Sequence, residues 1–352
     1  MKSSLFVTMT EQPAFDGQPA QLVELTNAAG GSIVLMDIGA TWLSCQLPLA
    51  CGEQREVLLG VGAMSDFQAQ QSYLGVTVGR YANRIAKGCF ELEGKTHQLT
   101  TNQAGNCLHG GTVGMDKVRW KIVEQSQSKV VFSYQSKDGD QGFPGNLDAS
   151  VCYSLSEDNQ VEIRYLATTD KATPVNLTNH AYFNLHGAES GIDGREHLLQ
   201  IDAEYYLPIS EDGIPHGSLS LVDGTGFDFR WQKVIRQDFL LDGQQQIAKG
   251  YDHSFYFDPK RNKRQPIARL SSQDGKVKMS VTTDKPALQL YTGNWLEGTP
   301  SRSGSTYSDY AGVALETQFL PDSPNHSEWP QPSCILKPNQ EYCYSTVYAF
   351  EC

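Results

Sequence analysis

Short stretches in which apolar and polar residues alternate occur along most of the chain. Residues 149–168 contain two such stretches around a Glu-Asp-Asn turn, and residues 89–99 contain two more around Glu-Gly. Alternation with a period of two places side chains on opposite faces of a β-strand, and short turns between such stretches indicate hairpins. Residues 277–284, 287–296 and 341–350 have the same character. The pattern predicts a chain built mainly from antiparallel strands.

Helical periodicity is weak, and residues 64–71 and 231–241 are the candidates for short helices. Glycine and proline fall between the predicted strands, and no linker, repeat or change in composition divides the chain. We therefore predict one all-β domain over residues 1–352, an antiparallel sandwich or barrel with few short helices. The long loops 136–147 and 320–332 are candidate walls of a functional site.

Composition and charge narrow the range of functions. The 352 residues are 19% charged and 10% aromatic, as in an ordinary globular protein. The net charge of −12, without a basic run, argues against a nucleic-acid partner and mildly against a strongly anionic substrate. The apolar stretch Leu5–Val7 is too short for a secretion signal, and no stretch approaches the roughly 18 apolar residues of a membrane span. We expect a cytoplasmic protein without a membrane partner.

The cysteines do not indicate a disulfide framework. Eight of them are spread along the chain, and none forms a CxxC pair. A chain of this length does not need covalent cross-links for stability. We expect free thiols that are buried or inert.

The most informative alternation is PVNLTNHAYFNL at residues 174–185. One set of positions is largely apolar, and the other is polar but uncharged: Asn176, Thr178, His180, Tyr182 and Asn184. Sugar hydroxyls bind neutral polar groups, and the C–H face of a sugar packs on an aromatic ring. This face therefore suits a sugar. The alternative is that His180 is a structural histidine with satisfied hydrogen bonds.

Five other segments place polar residues in or beside apolar strands. Glu316 is the sole charge in its strand, and it is either a general base or a solvent-facing residue of an edge strand. His109 precedes two glycines, which would let the backbone approach a ligand, or it lies in a simple exposed turn. The remaining candidates are Asn83, Arg84, Asp252 and Gln289, of which Arg84 could equally be a surface charge. Together these side chains resemble an acid/base pocket for a small molecule.

Several common sites have no support in the sequence. HxH and HExxH spacings are absent, so we predict no metal site. A dinucleotide-binding glycine motif, a P-loop and a GxSxG elbow are also absent. We expect no cofactor.

Six motifs, in the same order along the chain, resemble those of the aldose 1-epimerase, or galactose mutarotase, family. The resemblance covers most of the chain, from about residue 25 to the C-terminus. The motifs are GRYANRIAKG, LHGG at 108–111, NLTNHAYFNL at 176–185, YDH at 251–253, LQLYTGN at 288–294 and LETQFLPDSPNH at 315–326. The resemblance implies a large antiparallel β-sandwich, the supersandwich of that family, with an open sugar-binding groove. It also implies interconversion of the α and β anomers of D-galactose and D-glucose, without a metal or redox cofactor.

The resemblance also implies residue roles. Glu316 matches the family's general base and His180 its general acid, and the substrate-binding positions match Asn83, Arg84, His109, Asp252 and Gln289, to which the polar face adds Tyr182. Glu316 would take the proton of the O1 hydroxyl while His180, as imidazolium, protonates the ring oxygen O5. We expect mutual attraction to lower the pKa of Glu316 and raise that of His180, with a pH optimum near neutral.

Three other functions remain open from the sequence. A hexose-6-phosphate 1-epimerase would need additional Arg or Lys for the phosphate. A glycosidase would use Asp252 and Glu316 as paired carboxylates. A non-catalytic sugar-binding module would need no acid/base pair. We expect a free sugar as the partner and a monomer or homodimer as the assembly.

Overall fold

The fold is known from a computed structural model that describes residues 4–352. Within that range three short α-helices occur among many strands: α1 Ser4–Thr8, α2 Met64–Ala69 and α3 Gly243–Ile247. Five single turns of 3₁₀ helix lie at Ala86–Gly88, Asp140–Gly142, Gly194–Glu196, Ile235–Asp238 and Ser323–Asn325. The all-β class predicted from the alternation is confirmed. The predicted extent of 1–352 includes residues 1–3, which lie outside the described residues.

The largest sheet has nine antiparallel strands. In spatial order they are β10 Lys121–Gln125, β11 Lys129–Ser136, β12 Leu147–Leu155, β13 Gln160–Thr169, β27 Tyr342–Glu351, β23 Lys278–Thr283, β22 Ala268–Ser271, β17 Leu198–Ile201 and β20 Lys233–Val234. The predicted hairpin at 149–168 is β12 and β13, whose register pairs Val151 with Tyr165. The alternate positions of β12 are buried because one face of this sheet covers the core.

A second sheet has six antiparallel strands. In order they are β16 Tyr182–Phe183, β25 Val313–Gln318, β24 Ala287–Tyr291, β21 Asp252–Tyr256, β18 Tyr205–Leu207 and β19 Ser220–Leu221. Every residue of β25 is buried, since β16 and β24 pair with its two edges. Glu316 therefore lies on an inner strand, which rules out the solvent-facing edge position.

Smaller sheets complete the fold. One has four strands, β1 Leu22–Thr26, β2 Ser32–Met36, β3 Thr41–Pro48 and β4 Gln54–Glu56. Four two-stranded pairs are β5 Thr77–Val78 with β15 Thr178–Asn179, β6 Arg84–Ile85 with β9 Cys107–Leu108, β7 Cys89–Leu92 with β8 Lys95–Gln98, and β14 Thr173–Pro174 with β26 Ile335–Leu336. The β7–β8 pair is the predicted hairpin at 89–99.

The sheets pack face to face around one large apolar cluster. Rings from three sheets meet in it: the ring of Phe183 lies 5.8 Å from Trp42 and 5.1 Å from Tyr348. A hydrogen bond also joins β27 to β25: the Tyr348 hydroxyl donates to the Leu315 carbonyl at 3.1 Å. The fold is thus an antiparallel β-sandwich, and β25 is held on its core side by the nine-stranded sheet.

Two local predictions are wrong. Residues 231–241 form β20 and the 3₁₀ turn Ile235–Asp238 instead of an α-helix, because the Ile235 N–H donates to the His197 carbonyl of a neighbouring segment. The segment at 174–185 is also not one strand. It contributes β14, β15 and β16 to three different sheets, and both of its alternating sets are buried.

All eight cysteines are free thiols, as expected, and Cys51 and Cys352 are exposed. Among the described residues, every helix is too short or too polar to cross a membrane.

Candidate active site

One face of the six-stranded sheet carries a row of polar side chains. Directly paired residues of antiparallel strands face the same side, and the register pairs Gln289 with Glu316 and Ser254 with Gln289. Tyr182 shares this face because it pairs with Ala314, two residues before Glu316. The opposite face carries apolar residues such as Leu315, which pack in the core. Alternation along each strand thus gathers the polar residues on one side.

His180 lies between β15 and β16, where the chain passes from one sheet to another. Its backbone N–H donates to the Val76 carbonyl, and its carbonyl accepts from the Gly75 N–H, both at 2.9 Å. Its ring stacks on Tyr182, with centroids 4.8 Å apart, and on Tyr73 at 5.9 Å. Two backbone hydrogen bonds and two rings therefore fix the direction of the imidazole.

The imidazole of His180 stands beside the carboxyl group of Glu316. Nε2 of His180 lies 3.6 Å from Oε1 of Glu316, and the two side chains are 6% and 3% exposed. Within residues 4–352, Nδ1 of His180 and Oε2 of Glu316 have no hydrogen-bond partner. Buried polar atoms are normally paired, so two unpaired atoms in adjacent titratable groups distinguish this pair from an ordinary structural contact.

Burial controls the protonation of this pair. Loss of hydration raises the pKa of Glu316 well above its usual value and lowers the pKa of His180 to about 4. The expectation that mutual attraction would lower the first and raise the second is wrong in direction. Desolvation is the larger cause for both groups, because both side chains are taken almost completely out of water.

Two hydrogen bonds join His109 and Asn83. The Asn83 N–H donates to Nδ1 of His109 at 3.2 Å, and the His109 N–H donates to the Asn83 carbonyl at 3.1 Å. Because Nδ1 accepts a hydrogen bond, the neutral ring carries its proton on Nε2. Burial lowers the pKa of His109 well below its usual value, so this neutral form persists at physiological pH. His109 is thus a fixed hydrogen-bond donor.

The same tautomer bears on metal binding. Ligand atoms of His109, His180 and Glu316 lie within 4.8 Å of one another, a set that could hold a cation. A metal needs a nitrogen lone pair, whereas Nδ1 of His109 is occupied by the Asn83 N–H and Nε2 carries the proton. This arrangement suits a donor to an oxygen ligand better than a metal ligand.

Arg84, Asp252 and Gln289 form a second polar group. Nη2 of Arg84 lies 3.7 Å from Oδ2 of Asp252, and Nε2 of Gln289 donates to Oδ1 of Asp252 at 2.7 Å. Nε of Arg84 donates to Gln103 at 2.8 Å. Ser254 donates in turn to Oε1 of Gln289. The carboxylate of Asp252 is therefore oriented from two sides.

A cavity of about 230 Å³ brings these groups together. Its lining includes seven of the eight predicted site residues: Asn83, Arg84, His109, His180, Tyr182, Asp252 and Glu316. Gln289 is the exception, since it lies behind Asp252 and is 2% exposed. The volume is below the roughly 300–1,000 Å³ of sites for drug-sized ligands and suits a smaller molecule.

Other lining residues were not predicted. They are Gln71, Ser72, Tyr73, Gln103, Leu108, Tyr291 and Trp295. Tyr291 could have been found from the alternation, since it lies two residues after Gln289 on the same face of β24. Residues 71–73 come from a loop without a regular pattern.

The predicted walls of the site lie elsewhere. Loop 136–147 surrounds the guanidinium of Arg80, which donates to the carbonyls of Pro144 and Gly145 at 2.9 Å. Segment 320–332 supports β6, because Oδ1 of Asp322 accepts from the Ala86 N–H at 2.9 Å. Both loops therefore support neighbouring segments by hydrogen bonds and do not line the cavity.

Two further details differ from the sequence interpretation. Asn176 and Asn184 do not line the cavity; their amides donate to backbone carbonyls, of Ala82 for Asn176 and of Ile192 and Ala311 for Asn184. Gly110, with φ +92°, packs against the backbone of Gly79, where a Cβ would lie 1.9 Å from the carbonyl oxygen. The glycine is needed for backbone packing and not for approach to a ligand.

Comparisons with known proteins identify a family for the chain. The family model described as Aldose 1-epimerase matches residues 21–349. The aldose 1-epimerase of Escherichia coli (strain K12) is 51% identical over 344 residues, covering 97% of this chain and 99% of the relative. The galactose mutarotase of Bos taurus is 39% identical and covers 89% of both chains. The crystal structure of a GalM/aldose epimerase homologue from C. elegans superposes with a TM-score of 0.86 at 29% identity, over 94% of this chain and 99% of that one.

Proposed function

The chain belongs to the aldose 1-epimerase family and is an isomerase that interconverts the anomers of a sugar; we propose that Glu316 and His180 perform the proton transfers and that D-galactose and D-glucose are substrates. The observation that carries the residue assignment is the adjacency of the two side chains, with 3.6 Å between Nε2 and Oε1. The oxygens O1 and O5 are bonded to the same carbon of a pyranose. A base for one and an acid for the other must therefore stand side by side, as these groups do.

The reaction can be written with both groups. Glu316 removes the proton of the O1 hydroxyl, and His180 donates a proton to O5 while the C1–O5 bond breaks. Rotation about C1–C2 presents the other face of the aldehyde to the O5 hydroxyl. The ring then closes with the proton transfers reversed. One C–O bond breaks and re-forms, two protons move and no electrons are transferred, so the chemistry balances without an oxidant or a reductant.

In the active state, Glu316 and His180 together carry one titratable proton. Burial favours the arrangement with Glu316 protonated and His180 neutral over the ion pair. Both arrangements hold the same number of protons, so pH does not change their ratio. Sugar hydroxyls that bond to the carboxyl group of Glu316, which lines the cavity, stabilise its carboxylate and shift the proton to His180. The bound sugar thus creates the state that the reaction needs.

Fixed donors stabilise the ring-opening step. His109 presents its Nε2 proton, and Arg84 presents a guanidinium fixed by Gln103. Both line the cavity with Glu316, where negative charge develops on the sugar oxygens as the ring opens. Asp252 supplies an acceptor for the remaining hydroxyls, and the NH₂ group of Asn83 supplies a donor, because Oδ1 of Asn83 already accepts from Arg84.

The charges of the cavity favour a neutral sugar over a phosphorylated one. Its lining holds one permanent cation, Arg84, and two acidic residues, Asp252 and Glu316. Nη2 of Arg84 is within 3.7 Å of Asp252, so the guanidinium is not free for a phosphate dianion. The hexose-6-phosphate 1-epimerase hypothesis is therefore the weaker one.

The first experiment follows the optical rotation of freshly dissolved α-D-galactose with and without the protein. The expected result is a faster approach to the same final rotation. An unchanged rate, with galactose still bound in calorimetry, would instead favour a non-catalytic sugar-binding module. Repetition with α-D-glucose tests the second substrate.

We also propose that residues 1–352 act as one domain, as a monomer or homodimer, in the cytoplasm. The support is the sequence: no linker divides it, and the net charge of −12 without a basic run does not suit a nucleic-acid partner. Size-exclusion chromatography with light scattering distinguishes the two assemblies.

A further inference from the structure

An indole ring stands at the mouth of the cavity without a role in the proposed chemistry. Trp295 lines the cavity, yet it is 68% exposed. Single exposed apolar residues are common on protein surfaces, and Trp231, at 82% exposure and outside this lining, is such a case. Trp295 differs because its position is built by several other residues.

One contact is made by the indole of Trp295, and three others hold the loop that carries it. Nζ of Lys249 lies 4.3 Å from the ring centroid, and the same ammonium is ion-paired with Asp309 at 2.7 Å. Asp309 also accepts from the Glu297 N–H at 2.9 Å. The backbone N–H of Trp295 donates to the hydroxyl of Tyr291 at 3.1 Å. The backbone at Trp295 is therefore tied to the wall of the cavity, and the ammonium of Lys249 lies over the indole ring.

Tyr291 connects this ring to the catalytic pair. Its ring centroid lies 6.4 Å from that of His180 and 5.9 Å from that of Tyr182. A pyranose placed with O1 and O5 at Glu316 and His180 would share the cavity with Trp295, which is the more exposed part of the same lining. The indole is thus in place to contact the part of the ring remote from C1.

We propose that Trp295 is a specificity-determining residue that stacks on the C–H face of the bound sugar and favours galactose-configured pyranoses over glucose. In galactose the axial O4 lies on one side of the ring, and the C–H bonds at C3, C4 and C5 form one apolar patch on the other. In glucose the O4 is equatorial, and the C–H bonds at C3, C4 and C5 alternate between the two sides. A flat apolar ring covers the continuous patch better. This inference rests on the proposed function and names what selects its substrate.

The test compares galactose and glucose as substrates of Trp295→Ala, Trp295→Phe and the matched control Trp231→Ala. For Trp295→Ala we expect KM for galactose to rise about tenfold, KM for glucose about twofold or less, and kcat to stay nearly constant for both. Trp295→Phe keeps a ring and should restore most of the galactose preference. Equal losses for the two sugars, a fall in kcat alone, or no change would overturn the proposal.

A binding measurement separates this inference from the proposed catalysis. Galactose should change the tryptophan fluorescence of the wild type and of Trp231→Ala, and should not change that of Trp295→Phe. If the wild type fails to accelerate mutarotation of either sugar, the proposed function fails, and the fluorescence experiment still tests the stacking. A galactose-dependent change retained in Trp295→Phe would overturn the stacking.

Discussion

Nε2 of His180 lies 3.6 Å from Oε1 of Glu316, and both groups are almost completely buried. The separation exceeds that of a hydrogen bond, so each group keeps hydrogen-bonding capacity for a ligand. A carboxyl group in so dry a site is costly to ionise without a partner. In the proposed mechanism, this relationship makes the ionised state of Glu316 depend on a bound sugar.

Replacement of the carboxyl group is expected to abolish turnover and preserve binding. Glu316→Gln keeps the shape of the side chain and removes the base, so kcat/KM should fall by about 10²–10⁴-fold. Galactose affinity, measured by calorimetry, should change much less, and the circular dichroism spectrum should match that of the wild type. Appreciable residual turnover in Glu316→Gln would contradict the assignment of the base.

The pH profile is expected to be bell-shaped, with its two limbs set by burial. The active pair carries one proton. Below the lowered pKa of His180, about 4, the pair holds two protons and activity is lost. Above the raised pKa of Glu316 the pair holds none and activity falls again. The plateau should therefore begin above about pH 4 and end at the raised pKa of Glu316.

Measurement of kcat/KM against pH checks the bell-shaped profile, with circular dichroism at each pH as the control for unfolding. An acidic limb near the usual histidine value of about 6.5 would show that His180 is not desolvated in the working enzyme. Activity that rises steadily into strongly alkaline solution would contradict the requirement for a shared proton.

Gln289 is expected to act through Asp252. Removal of its 2.7 Å hydrogen bond in Gln289→Leu frees the carboxylate that Gln289 orients, and KM should rise by about tenfold with a smaller change in kcat. Asp252→Asn should produce a similar rise. Because the two residues form one unit, the double variant should be little worse than either single variant. Fully additive effects would place Gln289 in direct contact with the sugar.

The strands of the site follow from the sequence, because alternation decides which side chains share a face. Glu316 and Gln289 stand out as polar residues in otherwise apolar strands, and the sheet register places them opposite each other. The family motifs identify six residues of the cavity lining, and the polar face of residues 174–185 adds Tyr182. Local pattern and motif therefore predict most of the wall formed by the sheet.

The remaining parts of the site depend on a three-dimensional arrangement that a linear sequence pattern does not contain. The segment at 174–185 resembles one strand, but Thr178 pairs with Val78 and Tyr182 with Ala314 in different sheets. The expected direction of the His180 pKa shift is wrong because the burial of its ring depends on the packing of Tyr73 and Tyr182, which the sequence does not show. Tyr73 lies in a loop without periodicity, and Trp295 lies beyond the end of β24 at Tyr291, although the alternation predicts a strand as far as residue 296.

Discrimination against phosphorylated sugars provides the last prediction. A phosphate on C6 would bring two negative charges toward a cavity that holds Asp252 and Glu316 and a single guanidinium, Arg84, beside Asp252. Repulsion and desolvation in a buried site should make kcat/KM for galactose 6-phosphate at least about a hundredfold lower than for galactose. Coupled polarimetric assays at equal sugar concentration measure the ratio, and raising the salt concentration is the control, since screening should narrow the gap. Equal or faster turnover of the phosphate would mean that Arg84 leaves Asp252 to bind the dianion, and the hexose-6-phosphate function would then replace the one proposed.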